Sequence, residues 1–201
     1  GHNVTIYAIL GKYDYSDFEN KYNLKINNLS KIYFSNLTSD ELSKTGKISN
    51  LISIFLHKLI EFPDIELVFK FKNILKKESN IDLLITIGMP FPIHWGAALN
   101  KGHKNFPKNW IADCGDPYMG NKFTKPFFYF KYIEKWFCRK VDYLTVPIED
   151  AKAGYYKEFY DKIRVIPQGF NFDEYKITTK TKENQVLTFV YAGAFYKGIR
   201  D

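Results

Sequence analysis

The stretch IDLLITIGMPFPIHWGAAL, Ile81 to Leu99, decides the fold. It is apolar enough to suggest a membrane span, but Asp82, Pro90, Pro92 and His94 interrupt it. It reads better as strand, turn and helix. DLLITIG (Asp82 to Gly88) is a continuous apolar run of strand length, which predicts a fully buried strand. PIHWGAALNK, from Pro92, follows as a short helix.

Outward from this unit the same alternation continues. NVTIYAIL (Asn3 to Leu10) is a first strand and KIYFS (Lys31 to Ser35) a second, after a polar, Asn-rich loop. Ile48 to Phe62 and Glu66 to Lys77 have helical patterns broken around Pro63, and Lys76 and Lys77 suit a helix C-terminus. NWIADCGD (Asn109 to Asp116) is another strand and Pro126 to Lys140 another helix. VDYLTVP (Val141 to Pro147) and IRVIP (Ile163 to Pro167) complete the strands, with a helix between them. Strands alternating with helices predict an α/β, Rossmann-like, mostly parallel sheet with helices on both faces. No internal repeat or low-complexity tract stands out.

Near the end, KITTKTKENQ (Lys176 to Gln185) is polar and poor in apolar residues, as expected of a connector. The expected organisation is an N-terminal domain over 1–175, a connector over 176–185 and the opening of a second domain over 186–201. In that last piece, VLTFVYAGAFYKGIRD, a buried strand leads to a small-residue turn followed by Lys197, Gly198 and Arg200. Gly193 and Gly198 permit close backbone approach, and Lys197 and Arg200 offer charge to a diphosphate. This is the pattern of a phosphate-side loop, so the chain is expected to be a piece of a larger protein.

With 201 residues the chain can bury one complete core. Its formal charge of +7 suggests an anionic partner: nucleic acid, a phospholipid surface or a phosphorylated substrate. Cys114 and Cys138 form no CxxC pair and no disulfide framework, so a reducing, cytoplasmic setting is expected. His2, His57, His94 and His103 lack the ligand spacing of a zinc site, and no metal is expected. Nothing at the start has the order of a signal peptide.

In doubly wound sheets, ligands gather at the carboxyl ends of the strands. That rule selects Gly88 and His94 after one strand, and Asp113 and Asp116 at the end of the next, as residues facing a substrate. A carboxylate there can hydrogen-bond a sugar hydroxyl or serve as a base. Plainer readings stand beside these. Asp116 before Pro117 can cap a turn, His94 can be satisfied locally near Trp95, and Asp113 alternates with Ile111 and can face a helix.

The helix from Pro126 places Phe130, Ile133, Phe137 and Val141 on one face, which should pack on the sheet. Lys131, Lys135 and Arg139 lie opposite, with Phe128 and Tyr132 among them and Lys122 and Lys125 before the helix. Aromatics within a basic stripe suit contact with an anionic membrane surface, while an ordinary solvated face is the plainer alternative. No recognition-helix, zinc-finger or single-strand-binding signature accompanies the stripe, so nucleic acid is not an expected partner.

Taken in order, the pieces resemble a glycosyltransferase of the GT-B fold, most similar to the large retaining family numbered four. GHNVTIYAIL is similar to that family's second strand, IDLLITIGMP to its fourth and NWIADCGDPY to the next. There the family often carries a His-Asp or Arg-Asp pair; Asp116 holds the Asp and Gly115 stands at the partner position. KYIEKWFCRKVDYLTVPIED resembles the family's helix and strand with Leu-Glu, a basic residue and Ala-Asp. RVIPQGFNFDEY resembles its Ile-Pro-Asn-Gly-Val-Asp segment, with Gln168 in place of Asn. FVYAGAFYKGIRD looks like the first strand and loop of the donor-sugar domain, with Ala194 where the family often has Arg.

The resemblance implies transfer of a sugar from a nucleotide-diphosphate sugar to an acceptor hydroxyl, in cell-envelope or polysaccharide biosynthesis. Asp116 would be catalytic; Gly88, His94 and Asp113 would lie toward a glycan or lipid-linked acceptor, and Gly193, Lys197 and Arg200 toward the donor. The nucleotide sugar is a substrate, and neither cofactor nor metal is implied. The protein would be cytoplasmic, peripheral on the inner face of the membrane, and this piece alone would be inactive. A sugar-nucleotide epimerase shares the architecture, and a non-catalytic nucleotide- or polyanion-binding module is a third reading. A dinucleotide dehydrogenase is disfavoured, since no GxGxxG follows a strand.

Overall fold

A computed structural model of the chain describes residues 1–10, 13–29, 47–121, 124 and 126–169, with the side chains of 47–50 excepted. KIYFS, Lys122, Lys125, the connector and the segment from 186 to 201 lie outside the described residues. The chain divides into two compact units, Gly1–Gln168 and Gly169–Asp201.

The first unit runs β1 (Val4–Ala8), α1 (Ser16–Tyr22), β2 (Leu24–Asn28), α2 (Lys47–Ile60), α3 (Glu66–Lys77), β3 (Leu83–Ile87), α4 (Pro92–Asn100), β4 (Asn109–Asp113), α5 (Phe130–Lys140), β5 (Tyr143–Val146) and β6 (Ile163–Val165). Between β5 and β6 lie 3₁₀ turns at Glu149–Gly154 and Lys157–Lys162, where a regular helix is expected from the sequence. The segment Leu24–Asn28, which reads as part of a polar loop, is a strand. The Ile26 N–H donates to Glu19 Oε1 at 2.6 Å, so α1 holds β2 directly.

The fold is α/β, with all strand pairs parallel in two sheets. β1 and β2 pair from Val4 with Leu24 to Ala8 with Asn28. The second sheet has four strands in the order β3-β4-β5-β6. Sequential order has a consequence, because right-handed crossovers that all step in one direction put their helices on one face. On that face Leu84, Trp110, Ala112, Leu144, Val146 and Ile163 are buried beneath α4 and α5. On the other face Leu83, Ile85, Ile87 and Tyr143 are exposed. Thus β3, expected to be buried throughout, is buried only on alternate residues.

α4 is the centre of the helical layer, with every residue but Ile93 and Leu99 buried. Gly96 lets α3 approach, since a Cβ there would lie 2.7 Å from the Val68 carbonyl oxygen. Leu67, Val68, Phe71 and Leu75 of α3 follow helical spacing and are all buried. Leu67 also packs with Leu29, just past β2, so α3 touches both sheets. The end of α5 is capped by Lys162, whose Nζ donates to the carbonyls of Cys138, Arg139 and Val141 at 3.1, 3.1 and 2.8 Å.

Candidate functional site

The carboxyl ends of β3 and β4 lie side by side, with Ile87 paired to Asp113. The Gly88 N–H donates to the Asp113 carbonyl at 2.7 Å, extending the ladder by one residue. A Cβ on Gly88 would meet His94 Nε2 at 3.1 Å and the Asp113 carbonyl oxygen at 3.3 Å, so this turn has little room for a side chain. Asp113 is half-buried, and its Oδ1 accepts the Thr145 hydroxyl at 2.6 Å. Past Cys114 the chain emerges; Gly115 and Asp116 are exposed. Met89, 73% exposed, stands at the end of β3 with φ +67°.

His94 has a different place from the one its sequence position suggests. It is 0% exposed, and its ring stacks on Phe137 with centroids 5.0 Å apart. Trp110 Nε1–H donates to Thr86 Oγ1 at 2.9 Å, and Thr86 Oγ1 lies 2.7 Å from His94 Nδ1. Thr86 Oγ1 thus joins the Trp110 indole to the imidazole, and on the other side of the ring Nε2 lies 3.6 Å from Cys114 Sγ. Burial pushes the imidazole down to about 3, so the ring is neutral. His94 therefore shapes the β3 turn from inside the core, and the satisfied reading describes its surroundings.

The loop after β4 is braced by a residue that was not among the expected site residues. Glu134 sits on the buried side of α5 and is 1% exposed. Its Oε1 accepts the backbone N–H of Tyr118 at 3.2 Å and of Met119 at 3.3 Å, and its Oε2 accepts the Tyr156 hydroxyl at 2.9 Å. Burial raises its carboxyl above the ordinary value, against the pull of these hydrogen bonds. The Tyr118 hydroxyl donates to Glu61 Oε1 at 2.6 Å, and burial is the main reason its ionisation is pushed up. A further brace is steric: a Cβ on Gly120 would lie 2.2 Å from the Gly154 carbonyl oxygen, and one on Gly154 2.4 Å from Pro117 Cγ. The signal for Glu134 was a single acid on an otherwise apolar helix face between Phe130, Ile133 and Phe137.

The basic stripe of α5 is present. Phe128 is 72% and Tyr132 60% exposed, and Lys131 and Arg139 are exposed beside them. Lys135 pairs with Glu158 at 3.1 Å and Arg139 approaches the same carboxylate at 3.8 Å, so part of the charge is answered within the chain. Behind Tyr132, an open apolar groove of about 370 Å³ is lined by Ile65, Val68, Trp95, Leu99, Tyr132, Ile133 and Trp136.

Among the described residues no group of three or more His, Cys, Asp or Glu is arranged to hold a metal ion. Nor is any helix among them long and apolar enough to cross a membrane. The expected donor-side residues Gly193, Lys197 and Arg200 lie outside the described residues. Set against known proteins, the chain matches no family model, no curated protein and no solved structure.

Proposed function

We propose that this chain forms the acceptor side of a GT-B-like glycosyltransferase that moves a sugar from a nucleotide-diphosphate sugar to an acceptor hydroxyl, in cell-envelope or polysaccharide synthesis. The observation that supports this most is the braced loop at the carboxyl end of β4. It carries the exposed Asp116, three residues past Asp113, whose carbonyl accepts the Gly88 N–H at the strand ends where parallel sheets place their ligands. In this reading Asp116 accepts a hydrogen bond from the acceptor hydroxyl and orients it toward the anomeric carbon. The Gly88 turn, packed against His94 and the Asp113 carbonyl, fixes the wall of the site, and Asp113, bonded to Thr145, keeps the ends of β4 and β5 in register.

The reacting bond joins the anomeric carbon to the diphosphate oxygen. As it breaks, positive charge develops on the sugar and negative charge on the departing diphosphate. Stabilising that anion calls for cations and helix N-termini, a role assigned here to Lys197, Arg200 and the domain they would open. No metal or cofactor is required by this scheme. The acceptor is a glycan or a lipid-linked glycan, and the enzyme works at the cytoplasmic side of a membrane.

The test is nucleoside diphosphate release by the whole protein containing this sequence, across a panel of sugar nucleotides, with and without a membrane extract. Release that requires extract, and falls about 100-fold or more in Asp116→Asn with its fold intact, is the expected result. Donor turnover without any acceptor would point instead to an epimerase. Donor binding without turnover would point to a binding module; either result sinks the transferase reading.

A further inference from the structure

Among the described residues α2 is a second exposed apolar surface beside the α5 stripe. This helix, KISNLISIFLHKLI, contains no acidic residue. Leu51 is 66%, Ile52 55%, Ile54 55% and Phe55 56% exposed. Among the described residues no other helix or strand packs along it. Apolar side chains spread around a short helix do not hold it together in water, so the arrangement calls for a surface that covers them.

Two observations indicate which surface. The first is continuity with the aromatic end of α5. The Tyr129 hydroxyl donates to the Leu59 carbonyl, and the Tyr129 ring lies edge-on to Phe128 with centroids 5.9 Å apart. The last turn of α2 therefore meets Tyr129, which stands next to the exposed Phe128, and Lys131 and Tyr132 follow on α5. The second is charge. His57 and Lys58 are exposed on α2, and Lys58 falls among the apolar positions, where its stem can lie along an apolar surface with its ammonium at the boundary. A symmetric contact between two copies would bring each Lys58 and Lys131 toward the same patch on its partner, like against like. An anionic lipid surface meets the apolar positions with acyl chains and the cations with phosphate.

We propose that α2 lies in the interface of an anionic membrane, its Leu51, Ile52, Ile54 and Phe55 among the acyl chains, with Phe128 and Lys131 extending the contact. This goes beyond the α5 stripe by naming the helix that inserts, and it stands whether or not the chain belongs to a sugar-transferring enzyme.

The experiment uses the 201-residue chain. Co-sedimentation is measured with vesicles of phosphatidylcholine alone and of phosphatidylcholine with about one third phosphatidylglycerol, at low and high salt. The expected result is binding to the anionic vesicles only, weakened by salt. Phe55→Glu should weaken it about tenfold or more, and Lys58→Glu with Lys131→Glu should weaken it and flatten its salt dependence. Phe18→Glu, at an exposed aromatic on α1, serves as control and should leave it unchanged. Circular dichroism and thermal melting establish that each variant is folded. Equal binding to neutral vesicles, no binding to anionic ones, or binding indifferent to Phe55→Glu overturns the proposal. A dimer in solution that Phe55→Glu dissociates also overturns it, and gives the face to a second copy.

Discussion

The backbone N–H of Tyr118 and the Oε1 of Glu134 lie 3.2 Å apart across 16 residues of chain, and this contact joins the floor of the candidate site to its rim. Glu134 belongs to the buried face of α5, while Tyr118 and Met119 belong to the loop that carries Asp116. A carboxylate is suited to the place because both oxygens accept, and here the donors are two N–H groups and the Tyr156 hydroxyl. Removing it leaves those donors without their acceptor in a buried place. Glu134→Ala is therefore expected to lose about 2–4 kcal/mol in urea unfolding, and Glu134→Gln, which keeps one acceptor, markedly less.

The same residue sets a pH dependence. Burial raises its carboxyl above 4.5 in the folded chain, so the folded state holds a proton that the unfolded chain has released. Its contribution to stability is fullest below the unfolded value and declines as pH rises through the folded one. Glu134→Gln should lack that decline, which the difference between the two melting curves across pH 4 to 8 would reveal.

For His94 the sign is opposite. Its ring is held down to about 3, against 6.5 for a free imidazole, because burial disfavours the cation. Below pH 6.5 the unfolded chain takes up a proton that the folded chain refuses. Stability from this residue is complete above that pH and falls by about 1.4 kcal/mol per unit as the pH drops toward 3. Imidazole ¹⁵N shifts should find His94 neutral at pH 5. Thr86→Val, which strips the partner shared by His94 and Trp110, should cost about 1–3 kcal/mol. A His94 that titrates near 6.5 in the native protein would contradict the buried network.

The parallel α/β class was legible because it rests on local signals, the apolar run at Leu83–Ile87 and the helical spacing of Phe130, Ile133 and Phe137. The burial of β3 was not, since a run of apolar residues says nothing about whether both faces are covered; Ile85 and Ile87 point away from α4. β2 was hidden by Asn27 and Asn28, polar residues at its end, while Leu24 and Ile26 carry its half-buried side. Asp116 and Gly88 were selected as candidates by a topological rule that needs only strand ends. Glu134 and the true surroundings of His94 depend on partners from Thr86 to Tyr156, brought together by β-sheet register and helix packing. No window of sequence contains them.

The steric brace on the loop makes a prediction that separates two glycines five residues apart. At Gly120 a Cβ would lie 2.2 Å from the Gly154 carbonyl oxygen and 2.5 Å from its Cα. These are backbone atoms, which no rotamer change can move, so the loop and the 3₁₀ turn would have to part. At Gly115 a Cβ would meet nothing within 4 Å. Gly120→Ala is expected to cost about 1–3 kcal/mol, whereas Gly115→Ala should stay within about 0.5 kcal/mol. Urea midpoints at unchanged slope would measure both. Since Asp116 lies between these positions, the transferase proposal predicts that Gly120→Ala also slows nucleoside diphosphate release by displacing the carboxylate. Equal stability of the two variants would mean that the loop is not locked against Gly154, and that Asp116 depends on Glu134 alone for its position.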